Sequence, residues 1–192
     1  LLMGEPFNRK ELLDITAEME GHPDNAAPAI LGGFCMALIE NGNVVAERID
    51  IPSQWKAVVA IPDFELHTEK ARAVLPASYV RSDVVHNIGA VSFLMAAFMY
   101  NKPEYLKFGL DDHVHVPYRL GLIPGSEEVI RSSVKAGAYG ATISGSGPTI
   151  IAFSPSDKAH LVGESMVSTF KHHGITSSYI VLDFDQSGIS AV

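Results

Sequence analysis

The sequence predicts an α+β fold. Strand-like segments are mixed with helix-like ones, and Asn41-Gly42 joins two short apolar segments in the manner of an antiparallel hairpin. Apolar residues make up 47% and charged residues 19%, with no low-complexity tract, so the chain has the material for a packed core. Hairpin-compatible pairs argue against a doubly wound parallel sheet, and a split βαβ sandwich is the natural candidate. With 192 residues the chain suits one ordinary domain or two small ones. A chain of this size buries roughly 70% of the surface its unfolded form exposes.

Taken in order, Asn8 followed by Glu11 has the spacing of a helix cap, and Leu12, Ile15, Thr16 and Met19 recur at helical period. Gly21 can end that helix, placing it over about 9–20. Gly33 to Ile39 and Val44 to Ile51 read as the two strands of the hairpin. Pro52-Ser53 punctuates the chain, and Trp55 opens a second series of elements, which sets a domain boundary near residue 53. Beyond it the pattern predicts strands at about 56–61, 140–143, 149–153 and 178–184. Helices are expected near 68–74, 83–100, 103–110, 126–136 and 157–173, with Gly137 and Gly174 at helix ends. Val84, Val85, Ile88, Val91, Met95, Phe98 and Met99 form an apolar stripe on the longest of these, and the stripe reads as core.

The formal charge of −8, without a Lys/Arg cluster, argues against nucleic acid and anionic membranes as partners, since both require a basic face. Cys35 is the single cysteine, so no intrachain disulfide and no structural zinc spacing is available, which suits a reducing cytoplasm. No apolar run is expected to approach the ~20 residues of a membrane helix. The opening Leu1-Leu2-Met3-Gly4-Glu5-Pro6 lacks the charged and apolar regions of a signal peptide. Its Leu-Leu start directly before a helix reads as the continuation of a longer protein.

Several residues could support chemistry. Glu20 falls in the last turn of its helix, where the carbonyl ends disfavour a carboxylate, so either solvent or a nearby cation such as Mg2+ compensates it. His22 precedes a proline and is pushed toward extended geometry, while Asp24 or Asn25 can cap a short helical segment beginning at Ala26. Ser144-Gly145-Ser146-Gly147-Pro148-Thr149 joins two strands and can present backbone N–H groups to an anion. It lacks the lysine of a Walker A loop, and a plain tight turn explains it equally well. Arg72, on a helix that Thr68 can cap, and Arg119 each offer a planar fork for a small carboxylate or a solvated surface residue. His113 and His115, beside Asp111 and Asp112, would face one side of a strand as a metal pair, which keeps a zinc or iron hydrolase in view.

The run Glu20-Gly21-His22-Pro23-Asp24-Asn25-Ala26-Ala27-Pro28-Ala29-Ile30-Leu31-Gly32-Gly33 closely resembles the signature of homoserine kinases, a family of the GHMP kinase superfamily. Three further places agree in order and spacing: Thr68 to Arg72 before Val74-Leu75-Pro76, His115-Val116-Pro117-Tyr118-Arg119, and Ile143 to Thr149, which looks like the third GHMP motif. The resemblance covers essentially the whole chain. It implies that residues 1–53 end a ribosomal-S5-like N-terminal domain and that 54–192 form a ferredoxin-like C-terminal domain. The implied activity is ATP-dependent phosphorylation of the L-homoserine hydroxyl to O-phospho-L-homoserine for threonine biosynthesis, with ATP and Mg2+ as cofactors.

By the same resemblance Glu20 holds Mg2+, while His22, Asp24 and Asn25 line the acceptor pocket. Asp24 and Asn25 stand at the catalytic position, Asp24 as a candidate base. Arg72 and Arg119 clamp the substrate carboxylate, and Thr68 shapes the pocket. Ser144, Gly145, Ser146 and Gly147 brace the loop that holds the nucleotide phosphates. Family members carry that Pro-x-x-x-Gly-Leu-Gly-Ser-Ser loop upstream of a helix like 9–20, and nothing in these residues matches it, so the isolated chain is expected to be inactive. The expected partner is L-homoserine, with no nucleic acid or membrane, and a homodimer is compatible with the family. Two alternatives compete: another small-molecule GHMP kinase, such as one acting on mevalonate, and a non-enzymatic ferredoxin-like domain that binds an amino acid.

Overall fold

The computed structural model describes residues 7–190 and divides into two units: residues up to Ile51 together with the segment from Phe184 onward, and Pro52–Asp183. In the first unit, Asn8 opens helix α1 (Arg9–Glu20) with a capping box. Its side chain accepts from Glu11 N–H, and the Glu11 carboxylate accepts from Asn8 N–H, both at 2.9 Å. Gly21, at φ 78°, closes the helix in the left-handed conformation that a side chain disfavours. A short helix α2 (Ala26–Leu31) follows, and then strands β1 (Phe34–Glu40) and β2 (Asn43–Ile49) pair antiparallel. Asn41 and Gly42 both take positive φ, as the tight two-residue turn requires.

Leu13 and Ala17 of α1, Ala26, Ala27 and Ile30 around α2, and Val44 of β2 form this unit's apolar centre. Asp14 adds a polar tie by accepting from Val44 N–H at 2.8 Å. The segment from Phe184 returns to this unit, whereas the sequence pattern grouped it with residues 54–192. The reason lies in backbone pairing. Gly33 N–H donates to Asp185 O at 2.7 Å, and the Gln186 amide bonds both N–H and C=O of Ile51 at 3.1 Å. Gly32 makes room for this crossing, since a Cβ there would meet the backbone of Gln186 to Gly188.

The second unit is built on a four-stranded antiparallel sheet in the order β4-β5-β3-β6, from β3 (Trp55–Pro62), β4 (Gly140–Ile143), β5 (Ile150–Pro155) and β6 (Ser177–Leu182). Between β3 and β4 run α3 (Thr68–Ala73), α4 (Arg81–Met99), α5 (Leu106–Gly109), α6 (Val116–Leu120) and α7 (Ser126–Lys135). Helix α8 (Ala159–His172) connects β5 to β6. One sheet face carries Val58, Ala60, Ile143, Ile150 and Ala152 against Val129 of α7 and Val162, Met166 and Phe170 of α8, all buried. Gly163 lets α8 lie close to the sheet, because a Cβ there would strike the Tyr179 ring. On the other face the Trp55 ring packs at a tilt against Phe98 of α4, centroids 5.3 Å apart, and against Tyr139 at 5.2 Å.

Helix α4 departs from expectation. Val84, Val85, Ile88, Val91 and Met99 of the anticipated core stripe are exposed, Ile88 at 65%, while Ala90, Ala97 and Phe98 are buried. The helix is apolar on both sides, so its period does not reveal which side packs, and small residues make the close contact. Gly109 approaches the Leu94 backbone so tightly that a Cβ would lie 2.7 Å from it. By length and composition α4 is also long and apolar enough to cross a membrane, 19 residues at mean hydropathy 1.3. The expectation that no segment comes near that length therefore does not hold. Asn87, Gly89 and Ser92 break the uninterrupted run without lowering the helix average enough. Two further helices begin with a tighter turn than expected, 3-10 at Pro103–Tyr105 and at Ser156–Lys158.

Candidate functional site

The residues singled out by sequence fall into two groups, one in each unit. In the first unit, Glu20 is the last residue of α1 and fully outside the core, followed by left-handed Gly21, which turns the chain sharply. His22 Nδ1 then lies 2.5 Å from Asp24 Oδ1. The same carboxylate oxygen accepts from Asn25 N–H at 2.9 Å. Asn25 is the N-cap of α2, but its side chain makes no capping bond, so neither Asp24 nor Asn25 caps the helix interior as the spacing suggested. A carboxylate, an imidazole, a second carboxylate and an amide thus stand on one short turn, with His22 half-buried and Glu20, Asp24 and Asn25 exposed. Such a turn can bind a cation and can pair a carboxylate with an imidazole.

In the second unit, α3, α6 and the loop between β4 and β5 converge. Thr68 Oγ1 and Ser146 Oγ lie 3.3 Å apart. Arg119, in α6, donates from Nε to Ala71 O and from Nη1 to Gly145 O, each at 3.2 Å. Thr68, Arg119, Gly145 and Ser146 are therefore brought together. Arg72 stands one turn along α3 from Thr68 and on the same face, exposed. Thr68 does not cap α3, because His67 occupies the N-cap in extended geometry and Thr68 is already helical. Its hydroxyl turns to Ser146 instead. The β4–β5 loop closes on itself through Ser144 N–H to Thr149 O at 2.8 Å and Gly147 N–H to Ser144 O at 2.9 Å. Gly145 and Gly147 take positive φ there, at 56° and 86°. Beside Thr68, Pro148 and Thr149 lies a concavity of about 380 Å³ that Phe64 and Leu66 also line.

Sequence reasoning missed what holds Arg119 in place. Asp112 accepts from the N–H groups of Val114 (2.7 Å), His115 (3.1 Å) and Val116 (3.1 Å), capping α6, and from the Asn87 amide of α4 (2.8 Å). Burial opposes its charge, but these hydrogen bonds outweigh it and hold the Asp112 carboxyl below its ordinary range. Asn87 completes the latch by accepting from His113 N–H at 2.8 Å. The only sequence signal was Asp112 three residues ahead of His115, a spacing common in loops. His113 and His115 are not a strand pair. They lie in a loop and at the start of α6, because Asp112 gathers the chain into a turn. The histidine that does approach His113 is His86.

Residues 104–172 match the family described as GHMP kinases C terminal. The chain is 39% identical to the homoserine kinase of Desulfitobacterium hafniense over 189 residues, covering 98% of this chain and 64% of that protein. It is 43% identical to the homoserine kinase of Carboxydothermus hydrogenoformans, covering 97% and 60%. The chain thus spans about three fifths of the curated relatives it matches, 64% and 60% of their lengths. Among solved structures, homoserine kinase from Cytophaga hutchinsonii superimposes with a TM-score of 0.90 at 32% identity, over 97% of this chain and 61% of that one. L. major mevalonate kinase, solved with R-mevalonate, gives 0.66 at 16% identity over 96% and 60%, a likeness of fold alone. These neighbours share the mixed α and β architecture described above.

Proposed function

We propose, from the match of residues 104–172 to the GHMP kinase C-terminal family, that the full-length protein transfers the ATP γ-phosphoryl group to the side-chain hydroxyl of L-homoserine. The product is O-phospho-L-homoserine, an intermediate of threonine biosynthesis in the cytoplasm. The observation that carries this reading is identity of 39–43% to homoserine kinases over 97–98% of the chain, against 16% to the mevalonate kinase. Finer architecture is part of the same proposal. The order β4-β5-β3-β6 with α8 between β5 and β6 supports a ferredoxin-like C-terminal domain, and residues up to about 53 would end an S5-like domain.

Phosphoryl transfer asks a protein mainly for positioning and charge neutralisation. Arg119 suits the homoserine carboxylate, because two backbone carbonyls already fix its guanidinium, so little side-chain entropy is lost on binding. Arg72, one turn from Thr68, is assigned to the same carboxylate, and Thr68 to the wall of its pocket. Ser144, Gly145, Ser146 and Gly147 would border the nucleotide. His22, Asp24 and Asn25 are assigned to the acceptor, with Asp24 as the group that takes the hydroxyl proton, oriented by His22 at 2.5 Å. Mg2+ takes one or two protein carboxylates along with phosphate oxygens, and exposed Glu20 fits that donor set. When bound, the ion neutralises phosphate charge.

An ATP-coupled assay of the intact protein, offered L-homoserine and R-mevalonate separately, tests this function. Turnover with homoserine alone is expected, and turnover with mevalonate alone would overturn it.

A further inference from the structure

We propose that His86, Asp111 and His113 form a binding site for a divalent transition-metal ion of the Zn2+ class, joining the start of α4 to the loop that leads into α6. His86 Nε2 lies 3.0 Å from Asp111 Oδ2, and His113 Nε2 lies 3.7 Å from Asp111 Oδ1. One ligand atom from each residue falls within 4.8 Å of the others. Ligand atoms about 2.0–2.2 Å from a tetrahedral zinc ion stand roughly 3.3–3.6 Å apart, so small side-chain rotations bring this trio into coordinating position. The two imidazole rings stack at 3.9 Å with 11° between their planes and both Nε2 atoms address the same carboxylate, so binding replaces the stack: each ring swings about its χ angles to aim its in-plane lone pair at the ion.

The donor set selects the ion. Two imidazoles and one carboxylate suit Zn2+ and its transition-metal neighbours, whereas Mg2+ and Ca2+ prefer oxygen alone. Asp83 Oδ1 stands 3.5 Å behind His113 Nδ1, the arrangement in which a carboxylate orients a metal-binding imidazole. The Asp111 carbonyl oxygen also accepts from His86 Nε2 at 3.0 Å, a bond whose proton is released when that nitrogen takes a metal. The scaffold is fixed on both sides, since Asn87 grips His113 N–H and the Asp112 carboxylate at 2.8 Å each. Side-chain exposures of 39%, 55% and 39% for His86, Asp111 and His113 leave the ion a path in from solvent. The site shares no residue with the groups assigned to homoserine, ATP or Mg2+. Its effect would be structural, a clamp on the loop that places Arg119.

The test is calorimetric titration of the chelator-stripped protein with zinc chloride. One equivalent should bind with a Kd in the micromolar range or tighter, and the melting temperature should rise by several degrees at saturation. His86→Gln and His113→Gln should each weaken binding at least about tenfold, and Asp83→Asn by a smaller factor. A His172→Gln/His173→Gln control should bind as the parent does. Since both histidines are partly exposed, the variants should keep the parent's far-ultraviolet circular dichroism. Independently of any variant, Zn2+ should shift the histidine ring NMR signals of His86 and His113 above all others. Absence of saturable binding, undiminished affinity in both histidine variants, or shifts confined to other histidines would overturn the site. None of these readouts depends on kinase activity.

Discussion

The Glu20–Asn25 turn and the Thr68–Arg119–Ser146 cluster reach comparable chemistry by opposite routes. The first is contiguous: one helix end, one left-handed glycine and one proline set four polar side chains within six residues. The second is assembled from α3, α6 and the β4–β5 loop, and depends on a latch from α4 that none of those segments contains. A local turn therefore tolerates damage elsewhere in its unit, while an assembled cluster inherits the weakness of every contact that places it.

If that contrast holds, Arg119→Leu should be the most severe change. Under the proposed function it removes charge-assisted bonds worth about 2–3 kcal/mol, so in the full-length protein the homoserine KM should rise about 100-fold with the ATP KM near that of the parent. An unchanged homoserine KM would detach Arg119 from the carboxylate. Next in size, Asp112→Ala should destabilise the protein by about 2 kcal/mol in urea titration, because it uncaps α6 and leaves Asn87 without its acceptor. It should also raise the homoserine KM although Asp112 touches no ligand, which separates a positioning role from a direct one. A purely stability effect, with KM unmoved, would break the argument that the latch places Arg119.

Asn8→Ala tests the contiguous route. Loss of the capping box should cost about 1 kcal/mol and leave both KM values alone, since α1 retains its packing and the turn after it is set locally. The smallest effect concerns acid. Asp112 is held below the ordinary 3.8 against burial, by its hydrogen bonds, and Asp14 is lowered first by Lys10 and then by Val44 N–H. A depressed folded pKa contributes stability that is fully present above the ordinary value and is lost as pH falls through the folded one. Urea midpoints should thus be flat from pH 6 to about 5 and fall below about pH 4, with a shallower fall in Asp112→Asn.

Much of the first unit was legible because its signals are local. Asn8 with Glu11, Gly21 at the helix end, and Asn41-Gly42 between apolar strands each dictate geometry within four residues. Gly32-Gly33 was visible as a motif, but its use as the seat of a distant segment was not, since Asp185 lies some 150 residues away. In the second unit the sheet strands were readable as short apolar runs, such as Ala57 to Ile61 and Ile150 to Phe153. The packing side of α4 was not, because Val85 and Phe98 are equally apolar and only tertiary contact decides which is buried. The stacking of His86 on His113 had no sequence signal at all.

The return of Asp185 to Gln186 onto Gly33 and Ile51 also fixes an order of events. As the chain leaves the ribosome, Pro52–Asp183 is complete in one uninterrupted stretch. The hairpin unit, in contrast, waits for residues made more than 130 positions after Ile51 before Ile51 finds its partners. Until then β1 and β2 are held by their own pairing and by α1 and α2, and the closing step bears a long-loop entropy that the inner unit, already folded, shortens.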